Sequence, residues 1–254
     1  MIPSMTLIPK EPLPGRYRPP EDAVLYAVGD IHGRSDLLDR LHQAIVQDAG
    51  KRRSKRRAIV YLGDYIDRGA DSAGVVARLQ GAGPPGFERY FLLGNHDTFL
   101  LDFLGGDSAA VETWMWNGGV AALESYGLSP TAEAYARDWP AALRADLARA
   151  LPPAHLAFFR ALQLNHREGD ILFVHAGLKP GVSIARQSRE DMLWIRGEFL
   201  ESESDFGCLV VHGHTPSPEP VIRANRIGVD TGAWRSGRLT AAVFADDEVA
   251  FLQT

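Results

Sequence analysis

The sequence predicts an α/β fold, and two observations carry that expectation. After residue 22, short apolar runs rich in β-branched residues alternate with helical patterns, which is the βαβ signature. Five of those runs end in polar junctions rich in glycine, aspartate and histidine. That is where open α/β sheets carry their chemistry.

Taken in order, the first twenty residues contain Pro3, Pro9, Pro12, Pro14, Pro19 and Pro20, so neither a helix nor a central strand can run through them. Residues 1–22 are therefore expected to form an extended arm and 23–254 a single domain. The first strand is expected at Val24–Val28. Ser35 is placed to cap a helix whose Leu37, Leu38, Leu41 and Ile45 share one face. The helix ends near KRRSKRR (51–57), read as a solvated loop whose cations complement the helix terminus. Strands follow at AIVYL (58–62) and YFLL (90–93). From Phe99 to Leu164 the strand pattern stops and the chain reads as a helical insertion, Ala-rich over 132–150, with turn signals at Gly105-Gly106, Gly118-Gly119, Ser129-Pro130 and Pro152-Pro153. Strands resume at ILFV (171–174), CLVV (208–211), RIGV (226–229), LTAAVF (239–244) and EVAFL (248–252).

At 254 residues and 45% hydrophobic composition, the chain can bury one large core. A net charge of -5 argues against a dedicated nucleic-acid binder. The single cysteine, Cys208, excludes an intrachain disulfide, and MIPSMTLIPK lacks the pattern of a secretory signal, so the cytoplasm is the expected location. No apolar run approaches the roughly 18 to 20 residues of a membrane span, and no membrane partner is expected.

The chemistry lies at the junctions. GDIHG follows AVLYAV, GDYIDRG follows AIVYL, GNHD follows YFLL, HAG follows ILFV, and HGHT follows CLVV. Five of the eight histidines belong to these stretches. Packing so many carboxylates and imidazoles together without cations is costly, because like charges and buried polar groups repel or go unsolvated. The donors are hard oxygens from Asp30, Asp64 and Asn95 and imidazoles from His32, His175 and His214, with no thiolate. That set suits Mn²⁺, Fe or Zn²⁺. Six ligands exceed what one open catalytic ion needs but suit two ions about 3.5 to 4 Å apart, sharing a carboxylate and a water. A two-metal hydrolase is implied.

The ordered series GDIHG, GDYIDRG, GNHD, HAG and HGHT resembles the phosphoprotein phosphatase family of binuclear metallophosphoesterases, in its bacterial branch. The resemblance implies the calcineurin-like four-layer αββα sandwich. It implies that Asp30 and His32 hold one metal, that Asp64 bridges, and that Asn95, His175 and His214 hold the other. It further implies His96 as general acid oriented by Asp67, Arg68 as a phosphate clamp, Arg196 as a second arginine against phosphate, and Asp230 as a support residue. His212 is expected to pack rather than ligate. The NGG at 117–119 also matches the branch, with no role apparent from sequence. The chemistry implied is in-line attack on phosphorus by a metal-bridging hydroxide, with Mn²⁺ the first expectation.

The expected substrate is a phosphorylated protein or a small phosphate ester, since GDYIDRG is intact. The alternatives are a dinucleoside polyphosphate such as diadenosine tetraphosphate and, from another class, a non-catalytic metal-binding scaffold. The eukaryotic protein phosphatases' C-terminal signature has no counterpart here.

Overall fold

A computed structural model describes residues 6–14, 17–107, 110–130 and 139–254. Pro3 and the 131–138 part of the Ala-rich stretch lie outside these residues. Strand β1 is Thr6–Pro12, β2 Ala23–Val28, β3 Arg56–Tyr61 and β4 Glu88–Phe91. Strand β5 is Asn165–Glu168, β6 Ile171–Val174, β7 Leu209–His212, β8 Val221–Ile222 and β9 Arg226–Gly228. Strand β10 is Thr240–Ala245 and β11 Glu248–Gln253. They form a six-stranded sheet in the order β1-β11-β10-β2-β3-β4 and a five-stranded sheet in the order β5-β6-β7-β9-β8.

Helices α1 (Ser35–Gly50) and α2 (Ser72–Gln80) are the crossovers that make β2, β3 and β4 parallel. In the second sheet β6, β7 and β9 run parallel. Period-two alternation sorts each strand between two cores. Val24, Tyr26 and Val28 pack with Leu37, Leu38, Leu41 and Ile45 of α1, whereas Leu25 and Ala27 face Phe173, Leu209 and Val211 across the two sheets. Leu172, Val174 and Val210 face the fourth layer, around Met192 and Phe199. Each such buried side chain contributes about 1.5 to 3 kcal/mol, so the sheet-to-sheet contact firmly fixes how the two sets of strand ends meet. The result is the expected four-layer sandwich.

Three departures from sequence have physical reasons. The proline-rich segment is extended, yet it is part of the domain rather than an appendage: β1 pairs antiparallel with β11, and Leu13 and Tyr17 join the core between the sheets. An edge strand tolerates proline, and Pro9 falls where the register shifts between Ile8 and Glu11. Strands β5 and β8 were not expected. The first reads NHRE and draws its order from the β6 hairpin, and the second is two residues long. Ser35 does not cap α1. It is the first helical residue, and its hydroxyl donates to Asp71, which itself caps α2 by accepting from the Gly74 amide.

From Asn95 to Arg160 the described chain is helical: α3 (Asn95–Leu104), α4 (Ala110–Trp114), a π-type turn at Met115–Gly119, α5 (Val120–Ser125), α6 (Trp139–Ala150) and α7 (Pro153–Arg160). Among the described residues no helix is long and apolar enough to cross a membrane.

The basic run is partly a loop, with Lys51, Arg53 and Lys55 exposed, but Arg56 opens β3 and forks onto two carboxylates. Its guanidinium donates to Glu88 at 2.6 to 3.1 Å and to Glu168 at 2.7 and 2.8 Å, tying β4 and β5 of different sheets together. The hydrogen bonds from Arg56 push Glu88 down to about 2 and lower Glu168 as well. A depressed carboxylate stabilises the fold above its unfolded value and stops doing so as pH falls through the folded one. Arg56→Met should therefore lower the melting temperature at pH 7 by roughly 2 to 4 °C, for about 1 kcal/mol of partly exposed pairing. The gap from wild type should hold from pH 7 to about 5 and then shrink as pH falls towards about 2, where Glu88 and Glu168 protonate; a gap independent of pH would mean that Arg56 acts through packing alone.

Candidate metal centre

All the expected metal ligands, with His96, Asp67 and Arg68, follow the carboxyl end of a parallel strand: Asp30 and His32 after β2, Asp64, Asp67 and Arg68 after β3, Asn95 and His96 after β4, His175 after β6, and His214 after β7; Arg196 instead comes from between two helical turns, Arg189–Trp194 and Gly197–Leu200. The two sheets thus bring their ends to one place. Asp64 lies with His32 and His96 in one group and with His175 and His214 in another, the ligand atoms of each within 4.8 Å of one another. The carboxylate is shared by both groups, where the resemblance puts the bridge. Asp30 is held beside them, with both of its oxygens 3.1 Å from the His214 amide.

The loops adopt costly conformations to do this. Seven non-glycine residues among those described have positive φ, and His32, Asp64, Asp67, Arg68 and His214 are five of them. Each such residue costs about 1 to 3 kcal/mol and persists only where its surroundings over-determine it. Gly94 is part of that enforcement, because a Cβ there would fall on the backbone and carboxylate of Asp64.

The ring orientations aim lone pairs at other acceptors. His32 Nδ1 donates to the Ile66 carbonyl at 2.8 Å, and His175 Nδ1 to the Leu62 carbonyl at 2.8 Å. A carbonyl can only accept, so each ring presents an unprotonated Nε2 to the site. The Nε2 of His32 meets Asp64 Oδ2 at 3.5 Å, and that of His175 lies 2.9 Å from Asn95 Oδ1 and 3.5 Å from Asp64 Oδ1, which brings Asn95 into the same group. His214 Nε2 is buried with no hydrogen-bond partner at all. Burial holds these imidazoles neutral, pushing His32 down to about 3, His175 to about 4 and His214 to about 2. Burial also pushes Asp64 up to about 7, and burial together with Asp230 and Asp64 raises Asp30 well above the usual carboxylate range. Neutral imidazoles and crowded carboxylates with acceptors facing acceptors are the complement of cations, so the residues fit a metal pair.

Beside this cluster stands a second unit. His96 Nδ1 donates to Asp67 Oδ2 at 2.6 Å, and Arg68 Nη2 lies 3.0 Å from His96 Nε2. Burial, with His32 and Arg68 nearby, lowers the His96 pKa strongly. Arg196 is exposed, and its Nη1 donates to the His214 carbonyl and to Thr215 Oγ1, each at 3.1 Å. Asp230 is buried close enough to Asp30 to raise its pKa, and its Oδ1 accepts from the Gly232 amide at 2.8 Å. His212 packs edge-on against Phe199 with ring centroids 5.1 Å apart, away from the donor cluster.

Two residues with evident work here carried no recognised signal in the sequence. Asp97 accepts from the Asp64 and Gly94 amides, both at 2.9 Å, and from the Tyr65 amide at 3.0 Å, pinning the β3 loop to the start of α3. Its place in GNHD, after the expected ligand and acid, was the available clue. Trp114, fully buried, donates from Nε1 to Asp67 Oδ1 at 2.9 Å.

Residues 23–245 match the family model described as calcineurin-like phosphoesterase. The chain belongs to that family. It is therefore a metallophosphoesterase, a hydrolase of phosphoric esters, in a family that uses a divalent metal pair, and its His and Asp groups are able to bind metal. Among its relatives is the asymmetrical bis(5'-nucleosyl)-tetraphosphatase PrpE of Bacillus velezensis, 27% identical over 89% of this chain and 91% of that protein. Serine/threonine-protein phosphatase 1 of Salmonella typhimurium is also 27% identical, over 86% of this chain and 90% of that one. A crystal structure of a "putative diadenosine tetraphosphatase" superposes with a TM-score of 0.63 at 24% identity, covering 92% of this chain and 95% of that one. It shows the fold.

Proposed function

We propose that this phosphoesterase acts on nucleoside polyphosphates of the dinucleoside tetraphosphate class, with Asp30, His32, Asp64, Asn95, His175 and His214 holding the metal pair. The observation that carries the substrate reading is the aromatic rim. The Arg68 guanidinium lies over the Trp234 ring, 5.2 Å from its centroid, and Trp194 meets the His214 ring edge-on at 6.2 Å. Both tryptophans are more than one third exposed. Partly exposed indole rings beside a phosphate-binding arginine suit nucleobases, which would stack on Trp234 in place of the Arg68 or Arg235 guanidinium over it, each stacked base being worth about 1 to 3 kcal/mol. The relationship to PrpE supports this reading, which we place ahead of the phosphorylated protein or small phosphate ester first expected from GDYIDRG. The relationship to the Salmonella phosphatase keeps phosphoprotein as the second reading.

Divalent cations, Mn²⁺ in our reading of the donor set, would supply an activated water and positive charge for the phosphoryl oxygens. The chain's own residues do the rest. Arg68 and Arg196 offer planar forks to those oxygens. A phosphate drawing Arg68 off His96 Nε2 frees that nitrogen and adds negative charge, so that Nε2 takes up a proton from solvent as the substrate binds, and this proton then passes to the leaving oxygen while Asp67 holds Nδ1.

The direct test compares diadenosine tetraphosphate with a phosphoserine peptide on the Mn²⁺-loaded enzyme. A kcat/KM at least tenfold higher for the nucleotide is expected, and a peptide preference would reverse the assignment. Trp234→Ala should raise KM for the nucleotide roughly 5- to 100-fold, as loss of one stacked base implies, and change KM for a small alkyl phosphate far less. Equal changes for both would show that the ring serves Arg68 and no base.

A further inference from the structure

We propose that the segment Trp114–Gly119, at the end of α4 and through the π-type turn, is a positioning device that sets both the proton donor and the phosphate clamp from the helical insertion. This rests on reading His96 as the proton donor. Asp67 uses one oxygen on His96 and the other on the Trp114 indole N–H, at 2.9 Å, so the carboxylate cannot rotate without losing one of them. Trp114 is itself wedged. Phe103 of α3 packs on it with centroids 5.7 Å apart, and a Cβ on Gly119 would come 2.6 Å from its Cδ1 and 2.7 Å from its Nε1. One residue earlier, the Gly118 carbonyl accepts the Arg68 amide at 3.1 Å. Gly118 has φ +102, and a Cβ there would stand 2.8 Å from both the Arg68 amide nitrogen and its Cγ. The turn therefore grips Asp67 and Arg68, two consecutive residues in left-handed conformation with φ of 72 and 66, one by side chain and one by backbone. That gives the NGG stretch the role its sequence did not reveal.

The test uses the metal-loaded full chain with Trp114→Phe, which keeps a ring in the slot and removes the N–H. On an alkyl phosphate, whose leaving group needs a proton, kcat should fall roughly 10- to 100-fold, the worth of one hydrogen bond to a charged group. On p-nitrophenyl phosphate the fall should be under about threefold, since a good leaving group needs little protonation. In an Asp67→Asn background the same substitution should add little, because the two act in series. Equal slowing of both substrates, or full additivity with Asp67→Asn, would mean that Trp114 only fills space, and the proposal would be wrong. If Trp114→Phe does not fold, benzothienylalanine at 114 removes the N–H from an almost unchanged shape and takes the same readings. Gly118→Ala should act differently, raising KM through Arg68 without steepening the leaving-group dependence. Should His96→Asn itself show no leaving-group dependence, the proton-donor reading fails, whereas a response to His96→Asn and none to Trp114→Phe overturns this inference alone.

Discussion

Asp64→Asn is expected to abolish turnover, at least 10³-fold, while leaving the metal-free protein as stable as wild type or more so. Both halves of that result follow from the same geometry. The Asp64 oxygens face His32 and His175 at 3.5 Å, and its carboxylate is common to both donor groups, so the neutral amide removes the charge that both cations share. In the empty site that charge is a burden, since burial pushes the carboxyl up to about 7 and Asp230 adds to the effect. Relieving a strained active-site charge commonly stabilises a fold at the expense of its function. Calorimetric titration with Mn²⁺ should show loss of one or both ions. Unchanged stoichiometry with a near-wild-type rate would show that Asp64 does not bridge.

His96→Asn should leave metal binding intact, because Asn95 and not His96 is the proposed ligand at that strand end. Its rate on poor leaving groups should fall by the roughly 10² to 10⁴-fold that general acid catalysis supplies. The loss on p-nitrophenyl phosphate should be much smaller. His96 is held for this task, with Asp67 at 2.6 Å on Nδ1 and the His32 ring edge-on at 4.7 Å. The measurement is kcat across phosphate esters of rising leaving-group pKa. A steeper dependence than wild type supports the role, whereas parallel lines would place His96 in phosphate binding or metal geometry instead. One structural point sharpens the expectation: His96 also belongs to the donor group around His32 and Asp64, so metal content must be measured on the variant itself.

The parts legible in the sequence were those where one residue's environment is set by its own strand. β2, β3, β6, β7, β10 and β11 are buried on both faces, so they read as apolar runs, and donors follow the carboxyl ends of β2, β3, β6 and β7. β5 was hidden because His166 and Glu168 spend their side chains on each other and on Arg56, which only the paired sheets bring near. YFLL was displaced by two residues, with the strand at Glu88–Phe91 and Leu92 bridging to Gln163 instead. Trp114 lies 47 residues from the carboxylate it serves, and a tryptophan in a helical stretch reads as ordinary core. Partners that act through another side chain leave no local pattern.

The donors belong to both sheets, and the His214 amide reaches Asp30 across 184 residues of chain. A cation held between such ends is a cross-link as well as a reagent. It closes a loop through most of the polypeptide and would be lost whenever the sheets part, so every bound ion opposes their separation by its own binding free energy. Scarcity of metal would then do more than silence the enzyme. It would loosen the join between the two sheets, and the supply of a trace element would set how long the folded chain survives.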